Sequence, residues 1–166
     1  MAKMTHASQP EVENKGISQE IFEFIVSIQD NSPIFQTLGF KFTYLGEGQA
    51  GIIMHPARDY TSYAGRVNGG LLAALADNVM GMACITLGNN VRTVDLGVHY
   101  FAPVFEEALL TAQGHVINAG NRLIVAEARM FNSEGKLAAK STGTYFRTEK
   151  IPFGMPAESV FGYYKA

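Results

Sequence analysis

The sequence lacks the features that mark disulfide-linked, secreted, membrane-spanning and nucleic-acid-binding proteins. Cys84 is its one cysteine, so an intramolecular disulfide and a cysteine-based metal site are excluded. No block of Lys or Arg is present and the formal net charge is −2, which argues against binding to nucleic acid or an anionic membrane surface. The first ten residues lack the apolar core of a secretory signal, and the longest apolar run, 69–81, is broken by Asp77 and Asn78. A cytoplasmic location is therefore predicted.

What is present is the composition of one compact domain. Hydrophobic residues make up 47% of the 166 positions and charged residues 17%, a balance typical of a chain that buries a sizeable core. We expect a flexible N-terminus over 1–16, a domain over 17–150, and a tail over 151–166 that packs on the domain or on a neighbour. No metal-ligand spacing appears, and neither a metal nor a cofactor is predicted.

The hydrophobic pattern predicts a helix, two strands, a long helix and four more strands. Helical spacing indicates an amphipathic helix over 17–28, capped by Ser18 and ended by Pro33. Alternation predicts a hairpin within 39–55, and a loop over 56–67 leads to a helix over 69–87. The later strands are expected at 92–104, 108–118, 121–132 and 136–148. One long helix against one antiparallel sheet is an α+β arrangement.

The long helix is apolar on nearly all sides, which indicates that it is buried on nearly all sides. One curved sheet covers a single side of such a helix. A second chain, or the wrapped edges of the sheet, must therefore cover the remainder.

Asp77 lies in the middle of this apolar helix and is the first candidate for chemistry. A buried carboxylate needs hydrogen bonds or a partner, because desolvation disfavours its charged form. The alternative to a catalytic role is a structural one, in which Asp77 caps a loop or pairs with an arginine in the core.

Asn68, Gly69 and Gly70 open the same helix. Two glycines allow a ligand to approach the backbone, and the first N–H groups of a helix favour an anion or a developing oxyanion. Taken alone, the tripeptide favours the simpler interpretation, in which Asn68 is an ordinary N-cap and the glycines relieve crowding.

The spacing between Gly69 and Asp77 is too large for the two groups to act together within one chain. Eight residues correspond to about 12 Å of helix rise, so one chain cannot bring both groups to the same carbonyl carbon. Two helices packed antiparallel about a two-fold axis would place the start of each beside Asp77 of the other, giving two equivalent sites.

In several segments the chain resembles the PaaI-like hotdog thioesterases of the phenylacetate pathway. The resemblance runs in order over roughly residues 33–148, and it is carried by Ser62 to Gly70 (SYAGRVNGG), Leu75 to Asn78 (LADN), Thr93 to Leu96 (TVDL) and Tyr100 to Val104 (YFAPV). It implies a hotdog fold, with a six-stranded curved antiparallel sheet wrapped round one central helix. It also implies hydrolysis of an acyl-CoA or related thioester by a homodimer or a dimer of dimers, with CoA entering as part of the substrate.

Matched residue by residue, the resemblance implies a catalytic role for three positions. Asp77 would act as general base or nucleophile, the Gly69 N–H would polarise the thioester carbonyl, and the Thr93 hydroxyl would hold the water or the carboxylate. The positions expected to bind substrate are Asn68, Gly70, Ser62 and Asn78.

Two positions depart from the family pattern, which has histidine where this chain has Asn68 and asparagine where it has Ser62. The alternative function is therefore a catalytically weakened protein that binds acyl-CoA or another acyl thioester. A hotdog dehydratase or isomerase is a third reading and would need a histidine, for which His99 is the nearby candidate. Cys84 is expected to be an inert buried thiol.

Overall fold

A seven-stranded sheet wraps round one long helix in residues 11–151, the part of the chain that the computed structural model describes. The helices are α1 (Gln19–Asn31), α2 (Pro33–Leu38) and α3 (Gly69–Ile85), and a 3₁₀ turn covers Arg58–Tyr60. The strands are β1 (Glu13–Lys15), β2 (Lys41–Gly46), β3 (Gln49–Met54), β4 (Asn89–Tyr100), β5 (Leu110–Ala119), β6 (Leu123–Phe131) and β7 (Leu137–Lys150). Their order in the sheet is β1-β2-β3-β5-β6-β7-β4, and β1 and β2 are the one parallel pair among them. The predicted α+β arrangement is confirmed.

Helix α3 lies unusually close to the sheet because the strands beneath it carry small residues. A Cβ built on Gly114 of β5 would stand 2.6 Å from the carbonyl oxygen of Val79, so the two backbones are in contact there. The neighbouring inward positions are fully buried alanines, at Ala112, Ala126, Ala128 and Ala139. This contact fixes the height of α3 above the strands and hence the reach of its side chains.

One side of α3 is left uncovered by the sheet. The partly exposed residues of the helix recur at a spacing of three and four, which is the spacing of one helix face; they are Ala73, Ala74, Asp77, Asn78 and Met82. Asp77 therefore lies on the side of the helix that its own sheet does not cover.

The N-terminal region differs from the prediction. The cap at Ser18 is confirmed, since its hydroxyl oxygen accepts the Ile21 N–H, but the helix runs on to Asn31. The stop predicted from Asp30, Asn31 and Pro33 is confirmed, because α1 ends at Asn31, but Pro33 also opens an unexpected second helix, standing in the first turn of α2, where a missing N–H costs no hydrogen bond. Within the segment expected to be flexible, 13–15 form β1 through backbone pairing with β2. Residues 1–10 and 152–166, which include most of the expected tail, lie outside the described residues.

Strand β4 forms an edge of the sheet. It pairs with β7 alone, begins at Asn89 rather than at 92, and has a bulge between Thr93 and Asp95. The strand is long for an edge, and large apolar side chains on it are exposed: Val94 to 61% and Tyr100 to 52%.

As for the helices, none within 11–151 combines the length and the hydropathy needed to cross a bilayer.

Candidate active site

Asp77 is held by two hydroxyl groups that reach it from two different strands. The Thr93 hydroxyl donates to Asp77 Oδ1 at 2.8 Å, and the Tyr145 hydroxyl donates to the same oxygen at 3.0 Å and to the Asp77 main-chain carbonyl at 3.2 Å. Within the described residues, Asp77 Oδ2 accepts no hydrogen bond and the carboxylate has no ion pair. Asp77 therefore neither caps a loop nor pairs with a core arginine, and one of its two oxygens is free to act.

The two donors are neighbours because they face each other across β4 and β7. Thr93 and Tyr145 are paired residues in the register of these strands, and both side chains point toward α3. Tyr145 is 1% exposed, whereas Thr93 is exposed at the sheet edge. Burial raises the pKa of Tyr145, and the adjacent charge of Asp77 and its hydrogen bond raise it further, so the phenol stays protonated and remains a donor.

The first turn of α3 presents one backbone N–H that has no partner. The side-chain oxygen of Asn68 accepts the Gly70 N–H at 2.7 Å, and the Asn68 carbonyl accepts the Leu71 N–H at 3.0 Å. The Gly69 N–H makes no hydrogen bond within the described part of the chain. Of the helix-start residues expected to meet substrate, Gly69 therefore keeps its donor available, whereas the donor of Gly70 is occupied by the cap.

Tyr100 fixes the position of Gly69. Its hydroxyl donates to the Gly69 carbonyl at 2.8 Å, and a Cβ built on Gly69 would stand 3.2 Å from Tyr100 Cζ. Tyr100 belongs to edge strand β4, so the start of α3 is tied to the same strand that supplies Thr93 to Asp77. Glycine at position 69 is what allows the tyrosine ring to lie against the backbone.

The remaining predicted residues make local contacts. The Ser62 hydroxyl donates to the Arg66 carbonyl at 3.3 Å, within the loop that precedes α3. The Asn78 amide donates to the Ala74 carbonyl, one turn back in the same helix. The structure thus brings Asp77 and Thr93 together, and Asn68, Gly69 and Gly70 together, as two groups about 12 Å apart along α3.

The competing nucleophile and acid–base candidates lie away from these groups or are unreactive. Burial raises the pKa of the Cys84 thiol to about 12, and the cysteine is fully buried. His99 is exposed and lies opposite Lys140, whereas the neighbouring β4 residue Val98 lies opposite buried Ser141. The histidine therefore points to the outer face of the sheet, away from α3.

Two surface cavities of the chain lie elsewhere. One, of about 340 Å³, is lined by residues that include Arg122 and Arg147; the other, of about 180 Å³, is lined by residues that include Pro103 and Phe105. Neither of these two cavities is lined by Asp77 or Gly69.

The comparisons with known proteins agree with the fold and with the position of the central helix. The family model for the thioesterase superfamily matches residues 64–139, from the loop before α3 into β7. PaaI from the phenylacetic acid degradation operon of Escherichia coli has the same fold, with a TM-score of 0.77 and 22% identity over 81% of this chain and 98% of that one.

Two further proteins are more similar in sequence. A mutant of the phenylacetic acid degradation protein PaaI from Thermus thermophilus is 31% identical, with a TM-score of 0.67, over 70% of this chain and all of that one. Human acyl-coenzyme A thioesterase 13 is 29% identical over 135 residues, which are 77% of this chain and 94% of that protein. The fold is thus that of the hotdog thioester hydrolases. The chain belongs to the thioesterase superfamily, as a PaaI-like member of it.

Proposed function

We propose that the protein hydrolyses acyl-CoA thioesters in two equivalent sites, each formed by Asp77 of one copy and the Gly69 N–H of another. The observation that carries this proposal is the state of the Asp77 carboxylate. Its Oδ1 is fixed by Thr93 and Tyr145, and its Oδ2 has no partner among the described residues, on the uncovered side of α3. A buried structural carboxylate would have both oxygens satisfied.

The distance between the two groups supports a site shared by two copies. Gly69 and Asp77 are about 12 Å apart along one helix, whereas a reacting carbonyl must lie near both. If the uncovered faces of two α3 helices pack antiparallel about a two-fold axis, the start of each helix meets residue 77 of the other. The same contact covers the partly exposed alanines of α3.

The free edge of β4 supports the same arrangement. An edge strand of twelve residues with exposed Val94 and Tyr100 presents unpaired backbone groups, which natural sheets usually cover or pair. Pairing of β4 with its two-fold copy satisfies these groups and places Thr93, and with it Asp77, at the seam between the copies.

The chemistry follows from the two groups. Asp77 Oδ2 removes a proton from water, or attacks the thioester directly, while the Gly69 N–H stabilises the negative charge that develops on the carbonyl oxygen. A positioned base contributes about 100- to 10,000-fold in rate, and one oxyanion donor about 3 kcal/mol in the transition state. In the first route hydroxide adds to the carbonyl, the C–S bond breaks, and Asp77 returns the proton to the departing CoA thiolate. In the second route the acyl group is bonded to Asp77 as the CoA thiolate leaves and takes a proton from solvent, and water then hydrolyses the acyl-aspartate to the free acid. Neither route requires a metal or another cofactor.

Acyl-CoA is the substrate class favoured by the relatives. Human acyl-coenzyme A thioesterase 13 aligns over most of its own length with this chain and carries that activity in its name. The acidic net charge of this chain does not oppose CoA, because a few local cations are enough to hold a phosphate.

Replacement of the proposed base tests the assignment. Asp77→Asn keeps the size of the side chain but removes its charge, so we expect kcat to fall at least about 100-fold. The measurement is release of free thiol from a panel of acyl-CoAs, followed with a thiol reagent. Asp30→Asn, an exposed carboxylate on α1, is the matched control and should retain parental activity. Equal activity of Asp77→Asn and the parent would end the proposal.

A weakened thioester-binding protein is the second candidate, and the helix cap favours it. Asn68 uses its side-chain oxygen on the Gly70 N–H, and the Ser62 hydroxyl is bonded to Arg66 within its own loop. Asn68 cannot take up a proton at neutral pH as a histidine can, and the hydroxyl proton of Ser62 is committed within its own loop. This candidate predicts saturable binding of a non-hydrolysable CoA thioether together with thiol release no faster than the background rate. Turnover of any acyl-CoA well above background excludes it.

A further inference from the structure

We propose that Tyr145 is the positioning residue of the active site: it holds both the carboxylate and the main chain of Asp77, so that Oδ2 is the oxygen presented to water or thioester. This inference rests on the proposed function of Asp77. Tyr145 itself touches neither substrate nor reacting atoms. It belongs to β7 and is buried behind the helix.

The Tyr145 hydroxyl donates its hydrogen bonds to a single residue, Asp77. Its hydroxyl donates to Oδ1 and to the carbonyl oxygen of Asp77, at 3.0 and 3.2 Å, and to no other acceptor within the described residues. A tyrosine that served only to fill the core would be satisfied by any nearby carbonyl. Tyr145 instead joins the side chain and the main chain of residue 77, which fixes both the χ angles of the carboxylate and the height of the helix turn that carries it.

The space for the Tyr145 ring is provided by a glycine on the same strand. A Cβ built on Gly143 would stand 2.9 Å from Tyr145 Cε2 and 3.2 Å from its hydroxyl oxygen. The ring is 1% exposed. A side chain at position 143 would therefore occupy the place of the ring, and a ring this deeply buried holds its hydroxyl as a fixed donor rather than a mobile one.

Thr93 and Tyr145 have different positions in the proposed site. Thr93 is exposed on the edge strand and is reached by solvent or by a second copy, whereas Tyr145 is enclosed between β7 and α3. Together they occupy Oδ1.

Few other ionisable groups face Asp77. Cys84 on α3 and Tyr145 on β7 are electrostatically coupled to it, and the charge of Arg147 on β7 acts on Cys84. On β4 the inward side chains are Thr93, Leu96, Val98 and Tyr100, and the inward faces of β3, β5 and β6 are apolar. A change in pH dependence on removal of the Tyr145 hydroxyl is therefore assigned to Asp77, because Cys84 remains a neutral thiol below about pH 9 and the other phenol, Tyr100, is bonded to Gly69.

The test is Tyr145→Phe, with Tyr60→Phe as the matched control. Tyr60 also donates one phenol hydrogen bond, to the Thr37 carbonyl of α2, and its hydroxyl makes no hydrogen bond to α3. For Tyr145→Phe we expect kcat for acyl-CoA hydrolysis to fall about tenfold with KM within about twofold, because the bond lost is to a charged group and not to the substrate. The acid limb of the pH–rate profile should move to higher pH. Tyr60→Phe should leave kcat and the acid limb as in the parent.

A purely structural role predicts a different result. In that case Tyr145→Phe lowers the midpoint of urea unfolding, but the folded enzyme keeps the parental kcat and acid limb, and the inference is overturned. If Tyr145→Phe does not fold, 3-fluorotyrosine placed at position 145 keeps the ring and makes the phenol a stronger donor. The acid limb should then move to lower pH, and an unmoved limb contradicts the inference.

The outcome for Asp77→Asn separates this inference from the proposed function. Parental activity of Asp77→Asn overturns the proposed function. Loss of activity in Asp77→Asn, combined with an unchanged kcat and acid limb in Tyr145→Phe, overturns the role of Tyr145 alone.

Discussion

The two oxygens of the Asp77 carboxylate have different environments. Two hydroxyl donors meet at Oδ1, whereas Oδ2 lies on the uncovered side of α3 without a partner among residues 11–151. A carboxylate held by one oxygen cannot turn freely about its terminal bond, so the second oxygen keeps one direction. This asymmetry distinguishes Asp77 from a carboxylate that only fills a hydrogen-bonding role in a core.

Cys84 gives a prediction about stability in alkali. Burial raises the pKa of its thiol to about 12 from an ordinary value of 9.0, so the folded state binds a proton that the unfolded state releases above pH 9. Below pH 9 the thiol is protonated in both states, so the free energy of unfolding is not reduced. As pH rises from 9 toward 12 the free energy of unfolding falls, by up to about 1.4 kcal/mol for each pH unit. Urea unfolding at pH 7, 9 and 10.5 should show a smaller alkaline loss for Cys84→Ala than for the parent. Equal losses in the two proteins would contradict this expectation.

At the residue scale, the part of the site that lies in short segments could be predicted from the sequence. Asp77 stands out as a charge in an apolar helix, and the Asn-Gly-Gly segment marks the helix start. Tyr145 could not be predicted, because its role depends on the register that places it opposite Thr93. Its position on the inward side of an alternating strand was the available signal, but any large core residue satisfies that pattern.

Among the elements, the contact between α3 and β5 determines whether Asp77 reaches its donors. Gly114→Ala places a methyl group 2.6 Å from the Val79 carbonyl oxygen, and backbone cannot move aside as a flexible side chain can. We expect a loss of about 1 to 3 kcal/mol in the free energy of unfolding. Thermal and urea unfolding provide the measurement.

Gly97→Ala is the matched control for this substitution. Gly97 is also inside a strand, but the nearest atom to an added Cβ is the Thr142 carbonyl oxygen at 4.0 Å. Its stability should stay within about 0.5 kcal/mol of the parent. A comparable loss in both variants would show that the close approach of α3 does not determine the cost.

Two elements, β1 and α2, differ from the prediction, each for its own physical reason. The strand β1 carries polar, exposed residues and is held by backbone pairing alone, so no alternation of apolar residues marks it. In α2, Pro33 serves as a first-turn residue, although the same residue after a helix also serves as a stop. The long helix α3, predicted at 69–87, runs from Gly69 to Ile85, because its pattern is set by burial.

At the scale of the whole molecule, the shared site predicts complementation between two inactive variants. Gly69→Pro removes the N–H at the first helical position, where proline is tolerated and the extended backbone of Asn68 suits it. Gly69→Ala crowds Tyr100 to a similar degree but keeps the N–H, and it should be far more active than Gly69→Pro.

Equal amounts of Asp77→Asn and Gly69→Pro, unfolded in urea and refolded together, should recover about a quarter of the parental activity. About half of the assemblies then contain one chain of each kind, and one of their two sites has both groups intact. Each variant refolded alone should remain inactive. A mixture no more active than the average of the two separate variants would show that Asp77 and Gly69 do not combine across copies.

The bond between Tyr100 and Gly69 has a consequence for how such an enzyme responds to its own concentration. Tyr100 belongs to the edge strand, and its hydroxyl steadies the first turn of α3. If two copies meet along that edge, their separation leaves this bond intact, because it lies within one chain, but removes the carboxylate that faces the Gly69 N–H. Activity per chain would then fall on dilution, and turnover would rise more steeply than in proportion to protein concentration.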